Sequence, residues 1–185
     1  MTRTIPSVVG AAATLILGCG ASGPAAAPSV GGYAGSSATI APDFTGRDAD
    51  GNTFRLSDHL RKEVVLLDFW ATYCEPCKAE FSHLRAMYDR ERANGLLVVG
   101  VAMDGPETVA DVPAFVKRFE IDFPIVVDDD SRIASLYNPK KSMPLSVIID
   151  RAGRIAVVRE GYNPGDERLV AADVSVALGH HRAEQ

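Results

Sequence analysis

The residues of this chain best suited to covalent chemistry are two cysteines three positions apart, Cys74 and Cys77. An apolar stretch, 63–70, ends shortly before them, and a helical pattern begins at Cys74. Side chains three apart on a helix share a face, which brings two sulfurs within disulfide reach. At a helix N-terminus, free N–H groups and the helix dipole stabilise the nucleophilic thiolate. The spacing therefore predicts thiol–disulfide exchange, in which Cys74 attacks and Cys77 resolves the mixed disulfide.

A cysteine pair of this spacing also occurs in zinc sites and in structural cross-links. No second such pair and no pair of closely spaced histidines follows, and His83 stands alone. A four-residue loop gains little stability from a cross-link. The acidic run 128–130 lacks the spacing of a calcium loop, so we expect a solvated turn there. The sequence favours a redox-active disulfide that works without a metal or another cofactor.

Strand and helix patterns alternate on both sides of the cysteine pair. Short strands near Phe44 and at 53–56 flank the turn signal Asp50-Gly51-Asn52. Pro113 favours either a late start or a bend in the second helix. The order predicts an α/β sandwich with a mixed sheet. The remaining strands are predicted at 63–70, 96–103, 124–127, 145–149 and 154–160, and the helices at 74–93, 106–120, 131–137 and 166–178.

The N-terminal segment differs in composition from the rest. Arg3 precedes a stretch, 4–18, that carries no charge and is shorter than the roughly 20 residues of a bilayer span. This pattern is typical of a secretory signal, and the following Cys19 sits where bacterial lipoproteins are acylated. An ordinary signal peptide or a short anchor with an incidental cysteine is the alternative. We expect a lipoprotein signal peptide at 1–19, with lipidation at Cys19.

Residues 20–42 are uncharged and consist almost entirely of Gly, Ala, Ser and Pro. Such a segment buries too little apolar surface to offset its ordering entropy, so 20–40 is predicted to be a flexible linker. Folding of this segment onto the domain is the alternative. The remaining residues, 41–180, are predicted to form one domain. The net charge of −5 and the lack of a Lys/Arg-rich run argue against nucleic acid as a partner.

The run from Phe69 to Phe81 resembles the active-site segment of the TlpA/ResA-like thioredoxin family. Residues 41–44 and 56–58 resemble the family's N-terminal extension, and 104–127 resemble its central inserted helix and strand. Ser142-Met143-Pro144-Leu145 stands where the family has its cis-proline loop. The resemblance covers about 41–178. It implies a thioredoxin fold with an N-terminal extension and a central αβ insertion.

The resemblance also implies how a substrate is held. Pro144, as a cis residue, would pack beside Cys74, and the backbone of Met143 would pair with an extended client segment. A plain strand-initiating proline is the alternative for Pro144. Trp70 and Tyr73 would frame the dithiol, and Trp70 would also pack in the core.

Two carboxylates are candidates for acid–base work. Asp68 lies in an otherwise apolar strand, where thioredoxins carry a buried aspartate, and burial would raise its pKa toward that of a useful base for Cys77. Glu80, three residues after Cys77, stands where this family often places a functional glutamate. The alternatives are a structural Asp68 with satisfied hydrogen bonds and a solvated Glu80.

The resemblance implies an exported, membrane-tethered thiol–disulfide oxidoreductase that acts on client proteins as a reductase. It would face the periplasm or cell exterior, draw electrons from a membrane thiol reductant, and be bound to lipid through Cys19. Related proteins serve cytochrome c maturation or periplasmic disulfide reduction. Ala41-Pro42-Asp43-Phe44 also opens many peroxiredoxins, but their pocket needs a threonine where this chain has Ala71. A lipoprotein binding module without catalysis is the third interpretation.

Overall fold

The computed structural model describes residues 1–2 and 39–180. Contacts divide the chain into 1–31 and 32–185, and the fold described below belongs to the second unit. The predicted signal peptide, Cys19 and the linker up to residue 38 fall outside the described residues, apart from Met1 and Thr2. Within 1–2 and 39–180, no helix is both long and apolar enough to cross a bilayer.

The described residues form a mixed seven-stranded sheet with the order β2-β1-β5-β4-β3-β6-β7. Strands β3, β4 and β5 run parallel, whereas β6, β7 and β1 are antiparallel to their neighbours. The predicted α/β sandwich with a mixed sheet is confirmed. The strands are β1 Thr45–Asp48, β2 Thr53–Arg55, β3 Val64–Trp70, β4 Leu96–Ala102, β5 Ile125–Val127, β6 Leu145–Ile149 and β7 Ile155–Glu160. The helices are α1 Glu75–Glu91, α2 Val112–Arg118, α3 Arg132–Tyr137 and α4 Glu167–Ala177.

The central strand β3 is buried along its whole length, and its side chains alternate between two cores. Leu66 and Trp70 face the core that is shared with α1, α2 and α4. Leu67 and Phe69 face the core that is shared with α3 and the N-terminal extension. A strand that is covered on both faces has a nearly continuous apolar sequence, as β3 does. Asp68 interrupts the run on the α1 side.

Helix α1 begins directly after Cys74, which is its N-cap, and Pro76 occupies the first turn, where a missing N–H is tolerated. Its buried face includes Glu80 and Met87, and Tyr88 is only partly buried. A carboxylate therefore enters the core one turn beyond the cysteines.

The domain begins earlier than position 41. Ile40 pairs with Arg154, and the carbonyl of Thr39 accepts from the N–H of Ile155 at 2.9 Å. The predicted end of the linker at residue 40 is therefore wrong by two residues. Backbone hydrogen bonds join residues 39–40 to the turn between β6 and β7 and to the start of β7, and these bonds order residues 39–40.

The acidic run after β5 is not simply a solvated turn. Asp128 is buried, and its carboxylate accepts hydrogen bonds from the N–H groups of Ile133 and Ala134 at 2.9 and 2.7 Å. These are unpaired donors of the first turn of α3. The solvated-turn prediction is wrong for Asp128, because the carboxylate caps a helix.

Candidate active site

Cys74 and Cys77 form a disulfide bond, and their Cα atoms are 5.3 Å apart. The N–H of Cys77 points to the sulfur of Cys74, with 3.3 Å between nitrogen and Sγ. Cys74 keeps 7% of its surface exposed, whereas Cys77 keeps 1%. Cys74 is therefore the more accessible cysteine of the pair, as the attacking role predicted for it requires.

The loop between β3 and α1 holds Cys74 at the helix terminus. The carbonyl of Trp70 accepts from the N–H of Met103 at 2.7 Å, and the carbonyl of Ala71 accepts from the N–H of Cys74 at 3.0 Å. Thr72, which lies between Ala71 and Cys74 in the loop, donates through its N–H and its hydroxyl to the buried carboxylate of Asp104. Sequence reasoning missed Asp104, because its role depends on a contact across 32 positions of the chain.

Two aromatic residues precede the cysteines, and they lie in different surroundings. Trp70 is fully buried and packs edge-to-face on Phe81 and against Phe115, with ring centres 4.9 and 4.7 Å apart. The core-packing interpretation of Trp70 is confirmed, and direct client contact is not available to its ring in this conformation. Tyr73 is 58% exposed and lines an open cleft of about 630 Å³ together with Lys78.

The proline loop reaches the same end of the sheet. The Met143–Pro144 peptide bond is cis, as the family resemblance implied. Met143 packs against the core cluster that contains both cysteines. The register of β3 and β6 pairs Phe69 with Leu145, so Pro144 lies level with the loop that leads to Cys74.

A buried acid pair lies behind the dithiol. Asp68 is 1% exposed and Glu80 is 3% exposed. Ser146 is the cross-strand partner of Asp68, and its hydroxyl donates to Glu80 Oε1 at 3.4 Å. Within the described residues, Asp68 Oδ1 and Glu80 Oε2 have no hydrogen-bond partner. The solvated interpretation of Glu80 is wrong, and that of a fully satisfied Asp68 is not supported.

Burial sets the protonation of this pair. Burial raises the pKa of Asp68 well above its usual range, and the charge of Glu80 adds to the effect. Burial also raises the pKa of Glu80 to about 7; the hydrogen bond from Ser146 opposes this rise and the charge of Asp166 adds to it. A carboxyl group that titrates near neutral pH is suited to both taking up and releasing a proton.

The first turn of α1 carries one charge of each sign near Cys74. Glu75 is exposed and pairs with Lys78 at 2.5 Å. The pairing reduces the repulsion that the Glu75 carboxylate exerts on a neighbouring thiolate. Among residues 1–2 and 39–180, no group of three or more His, Cys, Asp or Glu side chains is arranged to hold a metal ion.

Comparison with known proteins shows the family of this chain. The sequence model of the AhpC/TSA family matches residues 38–158. The chain belongs to this family. It is 33% identical over 126 residues to the thiol-disulfide oxidoreductase ResA of Bacillus subtilis, which covers 68% of each chain. It is 32% identical over 115 residues to ResA of Bacillus cereus, which covers 62% of this chain and 64% of that protein.

A solved structure shows the same fold. The chain superposes with a TM-score of 0.71 on a Chlorobium tepidum protein described as the thiol:disulfide interchange protein DsbE. The identity is 32%, and the match covers 77% of this chain and 97% of the other. The predicted thioredoxin fold and the resemblance to ResA-like proteins are confirmed. The relatives named above are described by their thiol–disulfide chemistry, and this chain spans between 63% and 68% of the length of the ResA proteins that it matches.

Proposed function

We propose that this protein is a thiol–disulfide oxidoreductase that exchanges disulfides with client proteins through Cys74 and Cys77. One observation carries the proposal: the disulfide lies at the start of α1, where Cys74 is the more exposed cysteine and Cys77 is buried on the helix face that also carries the buried Glu80. This arrangement separates an attacking sulfur from a resolving one. It also supplies carboxyl groups, Asp68 and Glu80, for the proton of the resolving thiol.

In the reducing direction, the Cys74 thiolate attacks one sulfur of a client disulfide. A Cys74–client bond forms, the client disulfide breaks, and its other sulfur leaves as a thiolate that takes up a proton. The Cys77 thiol then gives its proton to Glu80 or Asp68 and attacks Cys74. The second client sulfur is released, so the client gains two electrons and the cysteine pair is oxidised. The oxidising direction reverses these steps.

The reducing direction is favoured by the charges around the dithiol. Asp68 and Glu80 have raised pKa values, so each adds negative charge near the dithiol only when it ionises, and that charge disfavours a thiolate. A strong oxidant needs a stabilised reduced form, which these groups oppose. We therefore infer a reduction potential nearer to thioredoxin's, about −270 mV, than to the −120 mV or so of strong oxidants. Electrons would come from a membrane thiol reductant that restores the dithiol.

The N-terminal segment supports export and tethering. Arg3, the uncharged stretch 4–18 and Cys19 have the order of a lipoprotein signal. An oxidising compartment would let the disulfide persist, and an acyl anchor at Cys19 would hold the domain at the membrane. The full chain should fractionate with membranes and take up labelled fatty acid, and Cys19→Ser should take up none. A Cys19→Ser chain that is labelled as strongly as the wild type would contradict lipidation at Cys19.

Reduction of insulin by dithiothreitol tests the proposed activity. The wild-type chain should accelerate it, and Cys74→Ser should abolish the acceleration. A wild-type chain without effect would favour the binding-module alternative. Hydrogen peroxide consumption tests the peroxidase alternative, and the chain should show none above a Cys74→Ser control, because Ala71 replaces the threonine of that pocket.

A further inference from the structure

Asp104 lies immediately beyond β4, and its carboxylate is turned inward toward the loop that precedes the dithiol. The residue has no exposed surface. Its Oδ2 accepts from the N–H of Thr72 at 3.0 Å, and its Oδ1 lies 3.3 Å from the same nitrogen. The hydroxyl of Thr72 also donates to Oδ1. Both donors of Thr72 are thus directed at one buried carboxylate, two residues before Cys74.

A buried carboxylate is stabilised when hydrogen bonds replace its lost hydration, and charge-assisted hydrogen bonds are stronger than neutral ones. The neighbouring contact acts on the same loop, since the N–H of Met103 donates to the carbonyl of Trp70 at 2.7 Å. Met103 and Asp104, which are consecutive residues after β4, therefore hold the two ends of the three-residue segment from Trp70 to Thr72. The next turn is closed by the hydrogen bond from the N–H of Cys74 to the carbonyl of Ala71. The contacts of Trp70 and Thr72 fix the position at which this turn begins.

We propose that Asp104 is a positioning residue for Cys74, which acts through Thr72 to hold the cysteine sulfur at the N-terminus of α1. The proposal rests on the proposed role of Cys74 as the attacking thiol. A thiolate at this position is stabilised only if Sγ stays near the N–H of Cys77, 3.3 Å away in the disulfide form. A loop freed from Asp104 would let the sulfur leave that position, and the thiolate would become less favourable.

The negative charge of Asp104 acts in the opposite direction, because it disfavours a nearby thiolate. The two effects are separable by substitution. Thr72→Val keeps the charge and the shape but removes the hydroxyl donor, whereas Thr72→Ser keeps the donor. Asp104→Ala removes charge and acceptors together, whereas Asp104→Asn removes the charge and keeps an oxygen for the N–H of Thr72.

The test measures the rate of Cys74 alkylation by iodoacetamide against pH, in full chains that carry Cys77→Ser so that one thiol of the dithiol remains. Mass spectrometry of the alkylated peptides distinguishes Cys74 from Cys19, so that only the alkylation of Cys74 is counted. We expect Thr72→Val and Asp104→Ala to slow alkylation below neutral pH by about tenfold, the effect of losing one charge-assisted hydrogen bond. Thr72→Ser and Asp104→Asn should stay within about threefold of the parent.

Two results would overturn the proposal. If Thr72→Val and Asp104→Ala lower the melting temperature but keep the parent's alkylation profile, Asp104 only stabilises the fold. If Asp104→Asn and Asp104→Ala both alkylate faster than the parent, the charge of Asp104 and not the loop geometry controls the thiol. Alkylation needs no client, so a failure of insulin reduction would leave this readout intact, and the two proposals fail separately.

Discussion

The pKa of Glu80 is raised to about 7 because its carboxyl group lies in the core behind the dithiol. At the scale of single residues, this shift is the feature most directly tied to the chemistry. Resolution of a mixed disulfide requires Cys77 to lose its proton at the moment it attacks. Asp68 and Glu80 are buried acids on the same side of the sheet, linked through Ser146. In the proposed mechanism, one of these carboxyl groups receives that proton.

The raised pKa of Glu80 predicts a specific dependence of stability on pH. The folded-state pKa, about 7, exceeds the ordinary value of 4.5, so the folded chain holds a proton that the unfolded chain has lost. The stabilisation from this proton is complete below pH 4.5 and is lost as pH rises through 7. Relative to Glu80→Gln, the wild-type free energy of unfolding should fall by about 3 kcal/mol over this range.

Urea unfolding of the oxidised proteins, in steps from acid to mildly alkaline pH, measures this difference. Glu75→Gln is the matched control, because Glu75 lies on the same helix but is exposed. The curve of the control should run parallel to that of the wild type. Parallel curves for wild type and Glu80→Gln would show that Glu80 titrates normally in the folded chain.

Residue types and spacing predict Cys74 and Cys77 as site candidates and single out Asp68 in an apolar strand, whereas Glu80 is a candidate through the family resemblance. The other two polar groups of the site do not stand out in this way. Ser146 contributes through strand register, and Asp104 contributes through a contact with a distant loop. Neither register nor such a contact is encoded in a short window of sequence.

At the scale of elements, the start of α1 is set by the side chain of Cys74. Its sulfur accepts the N–H of Cys77, which is one of the free donors of the first turn. A serine oxygen serves the same purpose, whereas an alanine does not. Under reducing conditions, Cys74→Ala should therefore be less stable than Cys74→Ser by about 1 kcal/mol.

Both variants lack the disulfide, so the comparison isolates the cap. Chemical denaturation followed by far-ultraviolet circular dichroism measures it. Equal midpoints and equal slopes for the two variants would mean that residue 74 does not cap α1 in the absence of the disulfide.

Local sequence patterns predict the helices and strands well, but they predict less well which other parts of the chain each of them contacts. The start of α2 at Val112 agrees with the position that Pro113 favours. The burial of Glu80 depends on how α1 packs on β3 and α4, and the ordering of Thr39 and Ile40 depends on the β6–β7 turn. These outcomes follow from tertiary contacts, which composition alone does not reveal.

At the scale of the whole molecule, the mixed sheet brings distant segments to one end. The loop after β3, the cis proline before β6 and the residues after β4 meet at the N-terminus of α1. A client that pairs with the backbone of Met143 would present its sulfur to Cys74 from this end. In the proposed mechanism, a client at this end would be separated from the buried acids, Asp68 on β3 and Glu80 one turn beyond Cys77 on α1.

The central claim is that Cys74 attacks and Cys77 resolves. Its most direct test is to express full-length Cys77→Ser and Cys74→Ser chains in the native cell envelope and to identify mixed disulfides by mass spectrometry. If Cys74 attacks and Cys77 resolves, client proteins will be bound through Cys74 in the Cys77→Ser chain, and no comparable adducts will form through Cys77 in the Cys74→Ser chain. Adducts that form chiefly through Cys77, or a Cys77→Ser chain that captures no client, would contradict it.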